Sequence, residues 1–336
     1  MTRRRLPLGH LPTPLHQPSR LAHAMGLDLW LKRDDMTGGA EAGNKIRKLE
    51  FLLADALESG CDSVITCGGI QSNHARATAL LAASLGLRAL LFLRTTGKDL
   101  NPARAPLVGN VLLDKLAGAE IRLITPAEYR ERTRVMATAA DELRRAGMRP
   151  YVIPEGGSNG LGSLGYVEAM AEVRKQLDLG LAGGKPFDLV VHACGSGGTA
   201  AGVALGATRF EVAPEVRAMA VCDDAQTFEQ TIERIIEEAR SIDGRLKESA
   251  DLVVDDHSKG PAYAVSTPEQ RRRIAQVARL SGVVLDPVYT GKAFSRLWDL
   301  AEAGDLRGER VLFLHTGGLP GLLAQGETFV EELVFE

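Results

Sequence analysis

Cysteine is scarce in this chain: Cys61, Cys67, Cys194 and Cys222 are the four among 336 residues. They form no CxxC pair and no metal-like spacing, and a chain this long needs no disulfide staples. Reduced, mostly buried thiols are therefore expected, rather than a disulfide framework or a metal site. Net charge is nearly absent too, since 40 basic residues oppose 43 acidic ones and leave -3. No global field exists to gather nucleic acid or an anionic membrane surface, so neither is an expected partner. Long apolar runs are missing: no window reaches about 18 uninterrupted apolar residues. The Arg3, Arg4, Arg5 cluster leads into Leu6-Pro7-Leu8-Gly9-His10, which is not the apolar core of a signal peptide. A cytoplasmic protein is the expectation. There is also no Cys/His/Asp set with ligand spacing, so metal mechanisms lack support.

What the chain has is a globular composition, with 45% hydrophobic and 25% charged residues. Its length exceeds the usual single domain of roughly 100 to 200 residues, which favours two lobes and a cleft between them. Short β-rich runs alternate with longer helical patterns. Ser63-Val64-Ile65-Thr66 precedes an Ala-rich stretch from Ala75 to Leu85, and Ala89 to Leu93 follows it. Leu189 to Ala193 precedes Thr199 to Ala207, and Val311 to Leu314 closes the series. Strand, helix, strand repeats of this kind predict α/β architecture with parallel sheets. From Lys45 onward, Ile46, Leu49, Leu53, Ala56 and Leu57 trace a helical stripe that stops at Gly60, placing Lys45 at a helix start. The five glycines between Glu155 and Gly165 read as a crossover between lobes, with a helix from Tyr166 to Leu177 after it. Thr227 to Ile242 reads as an amphipathic helix with a solvated outer face.

Three strand-to-helix turns could carry chemistry. In Gly195-Ser196-Gly197-Gly198-Thr199 the glycines let successive N–H groups and a helix N-terminus converge on an anion, and Thr199 adds a hydroxyl. A tight turn without a ligand explains the same residues. The loop lacks the Walker ending and the GxGxxG spacing, so a small phosphate-bearing cofactor suits it better than ATP or a dinucleotide. In Gly43-Asn44-Lys45-Ile46-Arg47-Lys48 two lysines lie three apart on one helical face. Lys45 becomes a nucleophile toward carbonyls if burial, Lys48 or a helix N-terminus lowers its pKa; the alternative is a solvated basic face. In Gly68-Gly69-Ile70-Gln71-Ser72-Asn73-His74, an N-cap at Ser72 or Asn73 and small polar groups could grip a carboxylate. His74 there is a candidate proton carrier, or a structural histidine.

Together with His10-Leu11-Pro12-Thr13-Pro14-Leu15, Leu31-Lys32-Arg33-Asp34-Asp35, Asp286-Pro287-Val288-Tyr289-Thr290-Gly291-Lys292 and His315-Thr316-Gly317-Gly318, these motifs stand in an order that resembles one family. It is the D-cysteine desulfhydrase and 1-aminocyclopropane-1-carboxylate (ACC) deaminase family of fold type II enzymes that use pyridoxal 5'-phosphate (PLP). The resemblance covers nearly the whole chain. It implies a two-lobed, tryptophan synthase β-like α/β fold, each lobe a mainly parallel sheet flanked by helices. The small domain, 48–157, would be inserted after the catalytic lysine, and the large PLP-binding domain would combine 1–47 with 158–336. It also implies a homodimer acting on a small amino acid.

By the same resemblance, Lys45 matches the Schiff-base lysine, and Lys48 with Gly195, Ser196, Gly197, Gly198 and Thr199 matches the phosphate site. Asn73 matches the partner of the PLP 3'-oxygen, and Gln71 and Ser72, with Asn73, match the substrate-carboxylate loop. Tyr289 and Tyr263 match two active-site tyrosines. Thr290 and Thr316 match the positions beside the pyridine nitrogen, where ACC deaminases typically carry Glu and Leu. A neutral hydroxyl suffices where a good leaving group departs from Cβ, whereas opening a cyclopropane ring needs a stronger electron sink. The implied reaction is therefore β-elimination from D-cysteine to pyruvate, hydrogen sulfide and ammonia. L-cysteate sulfo-lyase, ACC deaminase and a non-catalytic PLP-binding protein are the alternatives.

Overall fold

The computed structural model describes residues 4–38 and 43–333, so Arg3 of the N-terminal cluster lies outside the described residues. Among them, ten strands form two sheets: β1 (Leu15–His16), β2 (Asp28–Lys32), β3 (Ser63–Gly69), β4 (Arg88–Arg94), β5 (Glu120–Ile124), β6 (Pro150–Val152), β7 (Leu189–Cys194), β8 (Glu215–Ala220), β9 (Asp251–Asp255) and β10 (Arg310–Leu314). The smaller sheet runs β5-β4-β3-β6, all parallel. The larger runs β1-β2-β10-β7-β8-β9, parallel except where the short β1 pairs antiparallel with β2. The smaller sheet lies wholly within 63–152, while the larger draws on both ends of the chain. A boundary at 47/48 falls inside the Lys45–Glu58 helix.

The strands that announced themselves as unbroken apolar runs are those buried on both faces. Every residue of β3 and β7 is buried, as helices covering both sides of a parallel sheet require. Helix Lys45–Glu58 starts where its apolar stripe starts, and helix Ala225–Ile242 buries Phe228, Ile232, Ile235, Ile236 and Ala239 along one face.

The segment expected to be a crossover is mostly helix, because Gly160–Asp178 begins six residues before Tyr166. Asn159 caps it by accepting the Gly162 N–H at 2.8 Å. Its glycines serve close packing: a Cβ on Gly165 would come within 2.2 Å of the Arg47 carbonyl oxygen on the Lys45–Glu58 helix. The glycine run thus lies where the chain passes from the smaller sheet to the larger, and it also marks contact between two helix backbones.

A buried ionic cluster fixes the first turn of the Lys45–Glu58 helix. Arg47 donates twice to Asp34, each bond 2.8 Å, and also to Glu172. Asp34 further accepts from Tyr166 and Thr13, while Lys32 donates to Glu172, Gln176 and the Thr13 carbonyl. Burial alone would raise the Asp34 pKa, but Arg47 and then Lys32 overcome it and hold the carboxyl at about 2. Every charge in the cluster has a partner of opposite sign. Among the described residues no helix is long and apolar enough to cross a membrane, and no group of three or more His, Cys, Asp or Glu could hold a metal ion.

Candidate active site

A cavity of about 760 Å³ opens where β3, β4, β7, β8 and β10 reach their C-terminal ends, with both sheets contributing to its wall. That is the edge at which open α/β sheets bind ligands, and the volume suits a cofactor with a small substrate. Lys45 lines it. Burial pushes its amine down to about 8, against the opposing influence of Glu155 and Cys194. The depression therefore comes from desolvation and not from Lys48. Lys48 is itself buried, and its pKa is driven well down by burial and by the Lys45 charge. The two lysines are not a solvated basic face.

Lys48 stops short of the cavity wall. Its ammonium donates to the Gly156 carbonyl and to Ser158 Oγ, both at 3.2 Å. Ser158 Oγ also accepts the Gly198 N–H at 3.2 Å and shares a 2.8 Å hydrogen bond with Ser196 Oγ. Lys48 thus supports the glycine loop from behind. Gly195, Ser196, Gly197 and Thr199 face the cavity, at the N-terminus of the Gly198–Arg209 helix. Gly197 sits at φ +81, a backbone conformation that suits glycine and turns the loop into the helix. Asn44 donates to Thr199 Oγ1 at 3.2 Å. Ser158 and Asn44 were not singled out in the sequence: one hid in a glycine run read as a linker, the other beside a lysine that drew the attention.

On β3's side, Ser72 and Asn73 line the cavity and Gln71 does not. Ser72 caps the Asn73–Ser84 helix by accepting the Ala75 N–H. The Gln71 amide donates to the Val108 carbonyl and accepts the Asn110 N–H. Asn110 is a third residue that sequence reading missed. Fully buried, it accepts from Arg76 and donates to Asn73 Oδ1 at 3.0 Å and to the Gln71 carbonyl. With its Oδ1 so engaged, Asn73 keeps its amide N–H groups for the cavity. His74 is buried, bonds Thr66 Oγ1 at 2.8 Å, and is held neutral by burial and the charges of Lys45 and Lys48. The structural reading fits it.

The opposite wall carries Tyr289 and Tyr263, whose hydroxyls share a 2.7 Å hydrogen bond. Burial raises both phenols, Tyr263 to about 12, so both stay protonated. Lys292 fixes the Tyr263 loop by donating to the carbonyls of Lys259, Ala262 and Val221. Thr290 stands apart from the lining as well. Fully buried and away from the cavity lining, its hydroxyl donates to Asp286 Oδ1 at 2.7 Å and accepts the Asp286 N–H at 2.8 Å. Asp286 meanwhile accepts the N–H groups of Val288, Tyr289 and Thr290, capping the Thr290–Ala303 helix. Local capping chemistry takes the hydroxyl that was expected beside the pyridine nitrogen. Thr316 does line the cavity.

A desolvated lysine facing a glycine-walled helix N-terminus, with a protonated tyrosine pair across the cavity, fits an aldehyde cofactor that carries a phosphate. The fold and site define a PLP-dependent enzyme of fold type II. The family model described as pyridoxal-phosphate dependent enzyme matches residues 6–317, and the chain belongs to that family. A bifunctional D-cysteine desulfhydrase/ACC deaminase of Arabidopsis thaliana is 43% identical over 94% of this chain and 78% of its own length. A D-cysteine desulfhydrase of Yersinia enterocolitica is 39% identical over 95% of both chains. The crystal structure of an ACC deaminase homologue superposes with a TM-score of 0.86 at 38% identity, covering 99% of this chain and 97% of the other. The chain is accordingly a PLP-dependent lyase.

Proposed function

We propose that the reaction is elimination of hydrosulfide from D-cysteine to give pyruvate and ammonia. The observation that carries this is the lack of a carboxylate beside Thr316: among the described residues, the acidic side chains lining the cavity are Glu155 and Asp223. Glu155 is taken by Tyr129 and by Arg132 at 2.8 Å, and Asp286 is spent on its helix cap. Asp223 is exposed and accepts from Cys222 Sγ, so no buried carboxylate is left free to hold a pyridine nitrogen protonated, and the site favours a reaction with a good leaving group over ring opening. The similarity to named D-cysteine desulfhydrases supports the same reading.

In this reading Lys45 holds the cofactor aldehyde, the 195–199 loop its phosphate, and the Asn73 amide its ring oxygen. Bound PLP supplies the electron sink. The turn at Ser72 receives the substrate carboxylate. The Lys45 amine takes the Cα proton; the Cα–Cβ double bond forms as Cβ–S breaks, and sulfur leaves with the electron pair. Tyr289 and Tyr263 shield this wall from water and hold a proton near the departing group. Water then converts the released 2-aminoacrylate to pyruvate and ammonia. The large domain would comprise 1–47 and 158–336 and the small one 48–157, paired as a homodimer in the cytoplasm, where four free thiols are at home.

The test is to incubate purified protein with D-cysteine, L-cysteine, L-cysteate and ACC, and to measure sulfide, sulfite, pyruvate and 2-oxobutyrate. Sulfide and pyruvate from D-cysteine should dominate. Turnover of ACC as fast as that of D-cysteine would overturn the proposal.

A further inference from the structure

Arg94 ends β4 directly beside Gly69 of β3, with the Ile70 N–H bonded to its carbonyl at 2.9 Å. Its side chain enters the cavity. The guanidinium carbon lies 4.8 Å from the centre of the Tyr129 ring and 4.9 Å from that of Tyr263. Contact with two aromatic rings holds the cation in place without using its N–H groups as ion-pair donors. Among the described residues no carboxylate forms an ion pair with Arg94. The acidic group of this wall, Glu155, is already satisfied by Tyr129 and Arg132. Of the other arginines lining the cavity, Arg132 is paired with Glu155, Arg234 with Glu238, and Arg130 is exposed, whereas Arg94 is half-buried and lines the cavity with a guanidinium fork outside any ion pair. Such a fork matches the paired oxygens of a carboxylate, sulfinate or sulfonate.

Its neighbours say which part of a substrate it meets. Tyr263 lies between Arg94 and Tyr289, touching the first by its ring and the second by its hydroxyl. The carboxylate turn at Ser72 has its own helix N-terminus, one strand away. Resting on the lyase reading above, we infer that Arg94 is a second anion subsite that receives acidic oxygens on the substrate's β-carbon. It extends the substrate class from cysteine to amino acids with a β-sulfonate, and lets β-sulfinates and β-carboxylates bind without reacting. For a β-sulfonate the bookkeeping is that of the thiol: the Cα proton goes to the Lys45 amine and the Cβ–S bond breaks with its electron pair going to sulfur, which departs as sulfite. No redox partner is involved.

The test compares holoenzyme binding of aspartate, asparagine and alanine by calorimetry, both enantiomers of each, in the wild type, Arg94→Gln and Arg94→Lys. The wild type should prefer aspartate over the neutral pair. Arg94→Gln should weaken aspartate roughly tenfold to hundredfold, the range expected for hydrogen bonds to a charged group, and leave alanine within about twofold. Arg94→Lys, which keeps the charge but loses the fork, should fall between and guards against a misfolded glutamine variant. In turnover, Arg94→Gln should lose cysteate far more than β-chloroalanine, whose leaving group carries no oxygens. Equal losses for aspartate and alanine would place the α-carboxylate on Arg94 and overturn the inference, as would a wild type with no preference for aspartate. Failure of the lyase reading shows separately, as no turnover of cysteine or β-chloroalanine by a protein that still discriminates aspartate.

Discussion

Lys45 and Arg47 stand two residues apart on one helix and point to different worlds. Arg47 enters a cluster in which each charge meets its opposite. Lys45 enters a cavity in which no ion pair or hydrogen bond holds its own amine. The consequences run in opposite directions: pairing draws Asp34 down to about 2 and drives Arg47 well up, whereas desolvation brings Lys45 down to about 8. A buried, paired charge is locked in its ionised form and contributes rigidity. A buried, unpaired amine is partly deprotonated near neutral pH and contributes reactivity. Residues i and i+2 do not share a helix face, so one turn can serve both ends, and the rigid side holds the reactive one in place.

The comparison breaks most completely at Lys45. Lys45→Ala should reduce turnover by at least about a thousandfold, as loss of a proton-transfer group and covalent anchor demands, while far-ultraviolet circular dichroism stays unchanged. On the other side, Arg47→Ala leaves the buried Asp34 and the half-buried Glu172 with less compensation. Destabilisation of about 3 to 5 kcal/mol is expected, read as a lower midpoint in urea. The pH dependence has a definite sign. Because Asp34 is depressed in the folded state, its contribution is complete above the ordinary carboxylate value near 3.8 and is lost as pH falls toward about 2. Asp34→Asn should flatten that part of the acid-stability curve.

Smaller effects sharpen the picture around the cofactor. Thr199→Ala should weaken PLP retention roughly tenfold to hundredfold, since one hydroxyl donor is lost and the backbone donors remain; equilibrium dialysis would read it. Asn110→Ala should cost about tenfold in kcat, because it frees the Asn73 amide to rotate, together with about 1 to 3 kcal/mol of stability, because it removes the acceptor of the buried Arg76 Nε–H. An absorbance shift of the bound cofactor should accompany that loss.

Much of this was legible in the sequence where local chemistry decides. The doubly buried strands β3 and β7, the helix starting at Lys45 and the Gly195–Thr199 turn each follow from a short run of residues. Edge and ion-paired strands were not: in β8, Glu215 and Arg217 bond each other at 2.6 Å and dilute the apolar signal. Distant partners were hidden as well. Asn110 reaches Asn73 across 37 positions, and Ser158 joins Lys48 to Gly198 from a segment whose glycines resembled a linker. Thr290 shows the opposite case, a local capping partner in Asp286 four residues earlier that engages its hydroxyl.

The most direct test of the central contrast is to reduce the holoenzyme with borohydride and map the cofactor-labelled peptide. In a parallel measurement the cofactor is stripped and its reattachment is followed against pH. Label should fall on Lys45 alone, and reattachment should accelerate as pH rises, levelling above about 8, where the amine is already deprotonated. Label on Lys48 or Lys292, or a rate that climbs without levelling toward the ordinary lysine value, would contradict the claim that unpaired burial makes Lys45 the reactive amine.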